Sequence, residues 1–322
     1  SNNNADWWKR RYFSVVSVGF IGFGHSSTCN MELQGADDHE KFLNLCKKPY
    51  KEQAVWFLNA FWNDLGEAEG ERLWNYVDKC SQLDLENKEE GCGLDEMMAH
   101  KFLEEFKETL TVRELRAKLR SVGAIGETER PKTVPLTHYL VFRYNYDWHI
   151  LVNASQGDNQ EELQKAQKML DECNAALKSA EQAARNAKIA QDELKAAMAA
   201  LHKEEEEYNG KIADAEKRSE SGGVVSRNKA KAELAQLKAE DPLPLRRAKI
   251  TTAAAVKKAE KTKLAAEETL AQCKAKFQEA QDYLNKVKAQ CGSAQGGIWW
   301  IERELHEAKK YMPTAKGVIS KK

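Results

Sequence analysis

From Leu163, alternate steps of three and four residues land on Leu163, Ala166, Leu170, Cys173, Leu177, Ala180, Ala184, Ala187, Gln191, Leu194, Met198, Leu201, Glu205, Tyr208, Ile212 and Ala215. Only Gln191 and Glu205 break the apolar series, so the spacing predicts one helix over 157–220 with a heptad seam along it. At ~1.5 Å per residue that is a rod of roughly 95 Å. A second series runs Val256, Ala259, Lys263, Ala266, Leu270, Cys273, Phe277, Ala280, Leu284, Val287 and Cys291, interrupted only by Lys263. Its helix would reach roughly 65–70 Å. Gly222-Gly223 and the run Asp241-Pro242-Leu243-Pro244 punctuate the chain between the rods, leaving a short helix from Val225 to Glu240. Gly292 to Gly297 closes the second rod. Ile298 to Tyr311 then reads as a final helix whose Ile298, Trp299, Trp300 and Leu305 require a partner surface.

The pattern from Glu40 to about Tyr146 is that of a compact helical domain. Large apolar residues recur at helical spacing in Ala54-Val55-Trp56-Phe57-Leu58-Asn59-Ala60-Phe61-Trp62 and again at Leu73, Trp74 and Val77. Acidic, Gly-bearing loops at 84–93 and 121–135 separate further short amphipathic helices, which is the outline of two EF-hands. A calcium loop needs an apolar residue at its eighth position and a bidentate Glu at its twelfth. Leu94 as the eighth residue makes Met98 the twelfth, and a thioether offers calcium no oxygen. The oxygens on offer in the first loop are Asp84, Glu86, Asn87, Glu89, Glu90 and Asp95; the second supplies Glu127, Thr128 and Glu129, with Pro131 and Pro135 stiffening it and His138 near its close. The expectation is a degenerate pair kept for packing, with Asp84, Glu86, Asn87, Asp95, Glu127 and Glu129 as the candidate ligands of a weakly held calcium ion.

Charge changes the picture. The 322 residues carry 50 basic and 50 acidic side chains, a formal net charge of zero. The distribution is uneven: residues 1–155 and 156–223 each carry −5, and 224–322 carry +10. A globally basic nucleic-acid binder is excluded, and an acidic partner for the last third is indicated. No apolar run approaches the ~20 residues of a membrane helix, and the seven scattered cysteines show neither a disulfide framework nor zinc spacing. Lys9-Arg10-Arg11 before the apolar stretch Tyr12 to Phe23 imitates a leader, but Ser14, Ser17, Gly19 and Gly22 interrupt it. The expected organisation is all-α: an apolar N-terminal arm (1–39) docked on the body, an EF-hand-like domain (40–152), and a long antiparallel helical hairpin (156–322).

Several strings, namely Trp56 to Trp62, Glu96 to Leu103, Gly222 to Lys229, Glu240 to Ile250 and Ile298 to Glu307, together resemble the 34-kDa calcium-regulated actin-bundling protein family. The resemblance implies a cytoplasmic, cytoskeletal protein that cross-links actin filaments, is inhibited by calcium, and binds filaments through about 221–263. The second loop departs from the family pattern, lacking an Asp-rich opening and a closing Glu. Actin filaments are acidic, and the implied segment carries Arg227, Lys229, Lys231, Arg246, Arg247, Lys249, Lys257, Lys258, Lys261 and Lys263 as candidate filament contacts.

No phosphate loop, nucleophile elbow or metal spacing appears, and the seven histidines are isolated from one another, so an enzyme is not expected. The expected partners are actin filaments and a second copy of the chain, with neither nucleic acid nor membrane. The alternative is a coiled-coil assembly protein without actin affinity. The seam fits pairing within one chain and between two equally. The acidic first two thirds would mask the basic segment in an autoinhibited state.

Overall fold

The structure, a computed structural model, describes residues 33–108, 111–129, 131–239, 242–290 and 294–313. The described residues are helical apart from one short ladder, as the periodicity predicts. They divide into two compact units. One takes the described residues up to Asp171 together with Glu279–His306; the other takes Glu172–Gln278 together with those from Glu307 onward. The expected N-terminal arm lies outside the described residues as far as residue 32, as does Cys291 at the end of the second seam.

In the first unit, short polar residues start the helices by supplying acceptors to backbone N–H groups that have no helical partner. Asp37 caps α1 (Asp38–Cys46) by accepting from the Glu40 N–H at 2.8 Å. Pro49 precedes α2 (Tyr50–Ala60), and α3 (Trp62–Leu83) bends at Gly66, whose φ of +61° is open only to glycine at little cost. After a single 3₁₀ turn and the strand β1 (Gly93–Leu94), Asp95 caps α4 (Glu96–Glu105). Thr111 and Glu114 form a reciprocal capping box on α5 (Val112–Ser121). Strand β2 (Val134–Pro135) leads into α6 (Leu136–Tyr144) and then α7 (Trp148–Asn153). The two strands pair antiparallel, Gly93 opposite Pro135 and Leu94 opposite Val134. This ladder joins two helix–loop–helix pairs, α3–α4 and α5–α6, through their loops.

Gln53 holds the same junction from inside. It is fully buried, donates from Nε2 to the carbonyls of Lys48 at 2.6 Å and Cys92 at 2.7 Å, and accepts at Oε1 from the Thr137 N–H and hydroxyl, both at 2.8 Å. One amide thus ties α2 to both loop exits, and its buried polar atoms are satisfied.

Four more helices follow: α8 (Gln160–Glu220), α9 (Val224–Ala239), α10 (Leu243–Lys288) and α11 (Gln295–Lys309). The partner surface required by the aromatic pair of α11 is the core of the first unit. Trp300 is fully buried with its ring centroid 5.2 Å from that of Trp74, and Trp299 packs over Gly70, where a Cβ would come within 3.1 Å of the indole. Arg303 lies over the Trp74 ring at 4.7 Å and reaches Glu71 at 2.6 Å. Glu304, 1% exposed, pairs with Lys51 Nζ at 2.9 Å. Within this unit α8 and α10 also meet, Lys165 Nζ standing 4.7 Å over the ring of Tyr283.

In the second unit α8 runs antiparallel to α10 and then to α9. Lys276 meets Glu172 at 3.0 Å, Lys258 meets Glu193 at 2.5 Å, and the Thr252 hydroxyl donates to the Ala197 carbonyl at 3.1 Å. Beyond the break between α9 and α10, the Tyr208 hydroxyl donates to the Leu237 carbonyl at 2.7 Å and Arg218 pairs with Glu233 at 3.0 Å. Gly222, at φ +101°, makes the reversal between α8 and α9. Pro244 sits in the first turn of α10, where its missing N–H leaves no helical bond unmade. The result is a helical hairpin in which α8 spans about 70 Å from Glu172 to Glu220.

The heptad reading needs one correction. Near Glu172 the seam is as expected, with Cys173, Leu177, Ala180, Cys273 and Phe277 all buried. Further out, Ala190 is buried and Ala197 half-buried, whereas the expected seam residues Gln191 and Met198 are exposed, Met198 at 56%. Val256 and Lys263 on α10 likewise face out, while Ala259 and Ala266 of the expected series stay half-buried together with Thr252, Ala255 and Thr262. A straight helix drifts by ~20° per heptad against a strict seven-residue repeat. With alanine on both sides of a position nothing large enforces the repeat, so the contact line moves onto the neighbouring alanine.

Candidate functional site: a basic face on the helical shaft

All ten cations singled out in the sequence belong to the second unit, and all ten are exposed. The structure gathers seven of them on α10: Arg246, Arg247, Lys249, Lys257, Lys258, Lys261 and Lys263. Between Arg246 and Lys263 lie about 25 Å of helix. At 100° per residue, Arg246, Lys257 and Lys261 stand on the side of α10 turned away from α8, while Arg247, Lys249, Lys258 and Lys263 flank it. Lys258 is held toward α8 by Glu193, and Lys263 lies 3.9 Å from Glu267 on its own helix.

Arg227, Lys229 and Lys231 form a separate patch on α9. The α8 residues that pair with α10 and α9 mark the spacing, since Glu193 and Arg218 are roughly 37 Å apart along one continuous helix. Arg218 hydrogen-bonds Glu233 and thereby holds that carboxyl below its usual range, with Lys229 adding to the effect.

Local sequence makes the α10 face strongly positive. No Asp or Glu occurs between Leu243 and Ala259, while Arg246, Arg247, Lys249, Lys257 and Lys258 do. The unpaired N–H groups at the start of α10 add the positive end of the helix dipole. Carboxylates are not far off. The Ala197–Thr252 and Tyr208–Leu237 contacts bring the run Glu204 to Glu207 level with the first turns of α10. Glu206 and Glu207 are engaged along their own helix, by His202 at 3.5 Å and Lys203 at 3.9 Å.

Sequence reasoning missed what stands between the cations. Leu243, Ile250 and Leu264 are 59%, 65% and 66% exposed. With Lys257 they occupy positions seven residues apart, so they share the outer side of α10. The signal was readable as a second apolar repeat in a different register from the seam.

The six candidate metal ligands do not come together. Asp84 accepts from the Tyr50 hydroxyl and the Asn87 N–H, each at 2.9 Å. Asp95 caps α4 by accepting from the Met98 N–H at 2.8 Å, and Glu129 accepts from the Gly126 N–H at 3.1 Å. Glu86, Asn87 and Glu127 are exposed. Among the described residues no group of three or more His, Cys, Asp or Glu side chains is placed to hold a metal ion. The ladder makes Leu94 and Val134 equivalent, and counting from them puts Met98 and His138 at the two loop closures. His138 is 4% exposed and stacked on Phe42 at 5.7 Å; burial, helped by Arg116, lowers its pKa to about 3, so it is neutral.

Residues 156–291 match the family model described as F actin bundling C terminal. Over that segment the chain is similar to the C-terminal domain of F-actin bundling proteins. A solved structure similar to this chain is the crystal structure of the 34 kDa F-actin bundling protein from Dictyostelium discoideum, with 21% identity, a TM-score of 0.44, and coverage of 87% of this chain and 98% of that one. No curated protein matches the chain. The matched segment contains all ten cations and both long helices, including the seam residues of the second unit from Cys173 to Phe277. No described helix is long and apolar enough to cross a membrane.

Proposed function

We propose that this protein binds actin filaments through the outer face of α10 and cross-links them, with the helical hairpin as a stiff spacer and the α9 patch as a second contact. The reading is carried by one observation: over Leu243 to Ala259 the matched segment exposes five cations and no carboxylate. An actin filament is an acidic polymer, and each exposed ion pair contributes only ~0–1 kcal/mol, so binding requires many contacts at once and weakens with salt. A hairpin supported by backbone hydrogen bonds along its whole length keeps separate contacts apart without collapsing.

Two finer elements belong to the same proposal. The run Glu204 to Glu207 competes with the filament for α10, so Gln in all four positions raises filament affinity. The helix–loop–helix pair is a degenerate EF-hand pair, since Met98 and neutral His138 occupy the closing positions. Calcium therefore changes filament binding by less than twofold.

The test is co-sedimentation with filaments. High-speed pellets report binding and low-speed pellets report bundles. Pelleting without actin favours a self-assembling coiled coil instead; remaining in the supernatant at both speeds removes the actin reading.

A further inference from the structure

We propose that Arg116 and Arg120 serve as the built-in cations of the second loop: their guanidinium groups bind loop oxygens at positions that face a calcium ion in an EF-hand, and their charge keeps the ion out. The inference rests on the degenerate EF-hand reading above and supplies its physical cause.

The ladder sets the count. With Val134 as the eighth residue, Glu127 is the first, Glu129 the third, Pro131 the fifth and His138 the twelfth, four of the positions from which an EF-hand directs oxygens at its ion. Arg116 and Arg120 stand one helical turn apart on α5 and share a side of it, half-buried, while Arg113 and Lys118 of the same helix are exposed. Nη2 of Arg116 donates to the Pro131 carbonyl at 2.9 Å, and Nη2 of Arg120 donates to the Glu129 carbonyl at 2.8 Å. The fifth and third residues thus each give a backbone oxygen to a guanidinium. Nη1 of Arg116 also reaches Glu96 at 3.1 Å, at the start of the helix that leaves the first loop, so one cation spans both loops. Its charge is felt at the twelfth position, where it joins burial in keeping His138 neutral.

Both arginines are drawn into the fold. The Nε of each is buried without a hydrogen-bond partner, a placement that desolvation opposes. The loop carboxylates are turned elsewhere: that of Glu129 accepts from the Gly126 N–H at 3.1 Å, and Glu127 is exposed. A divalent ion entering here would meet two positive charges and find the carbonyls engaged by them. The loop therefore keeps one arrangement at any calcium concentration.

The experiment compares the full chain with the variant carrying Arg116→Gln and Arg120→Gln. Gln keeps helix propensity and an amide donor but no charge. Thermal unfolding is followed by tryptophan fluorescence, because every described tryptophan lies in the first unit and Trp148 Nε1 donates to the Val122 carbonyl at 2.8 Å, where the loop begins. Each protein is melted in about 10 mM calcium chloride and in magnesium chloride at the same concentration, enough to load a site with a dissociation constant near 1 mM. The parent should melt at the same temperature in both salts. The Gln variant should melt lower and gain about 3 °C in calcium over magnesium. A Gln variant no more responsive than the parent overturns the inference and leaves the degenerate reading standing; a parent stabilised by calcium overturns both. If the double variant does not fold, Arg120→Gln alone makes the same comparison. Arg120→Lys, which keeps the charge, should stay insensitive to calcium, and a response equal to that of Arg120→Gln also overturns the inference.

Discussion

Lys258 Nζ lies 2.5 Å from a carboxylate oxygen of Glu193, and this ion pair marks the register in which α10 stands against α8. The register decides which cations are engaged within the hairpin and which are presented outward. Lys258 is turned toward α8 by Glu193, whereas Lys257 and Lys261 stand on the far side of the helix. An ion pair this exposed adds little stability of its own. Its value is positional, because a slip of the two helices would rotate the outward cations toward α8.

Reversing Arg246 and Arg247 to Glu should weaken filament binding about tenfold or more at low salt and leave the helical circular dichroism signal unchanged. Both side chains are exposed and the substitution keeps good helix formers. Loss of helicity in this variant would show that the two arginines hold the hairpin together instead.

Trp300 is part of the first unit's core, so Trp300→Ala should destabilise that unit by about 3–5 kcal/mol, the range for deleting a large buried aromatic. Urea unfolding followed by tryptophan fluorescence measures it. For the same reason, a truncation lacking residues 1–155 does not give a clean test of masking, since it uncovers Trp299 and Trp300. Substitution of Glu204 to Glu207 keeps the fold and tests masking directly.

Stability of the first unit should fall as the medium is acidified below about pH 6.5. His138 is neutral in the folded state, with a pKa lowered to about 3, while in the unfolded chain it titrates near 6.5. The unfolded state therefore binds the extra proton between those values, and stability falls by about 1.4 kcal/mol per pH unit below the upper one. His138→Phe, which preserves the stack on Phe42, should remove this part of the pH dependence. An identical acid limb in parent and variant would show that another group is responsible.

Calorimetric titration with calcium should show no site tighter than about 1 mM, since the acidic side chains of the two loops are dispersed and their closures carry Met98 and His138. A micromolar site would require the loops to rearrange and would revive calcium control.

Much of this was legible in the sequence. The heptads of α8 and α10 gave the hairpin because an alanine- and leucine-rich repeat has few other ways to bury its seam. The Trp299–Trp300 pair announced the need for a partner, but not which one, since complementarity between distant segments leaves no periodic trace. Gln53 was invisible for the same reason: its partners are carbonyls and a hydroxyl far along the chain, and a lone glutamine among apolar residues looks like any surface position. The outward turn of Met198 was missed because 3.5 and 3.6 residues per turn agree over two heptads and diverge over five. The ten cations were found by composition, while Leu243, Ile250 and Leu264 were passed over because the stronger repeat beside them drew the register.

The most direct test of the account is actin co-sedimentation of the full chain at high and low speed across a salt series. The account predicts that it pellets with filaments at both speeds, less so as salt rises, and that Arg246→Glu with Arg247→Glu pellets far less. Equal pelleting of parent and variant at every salt would contradict it.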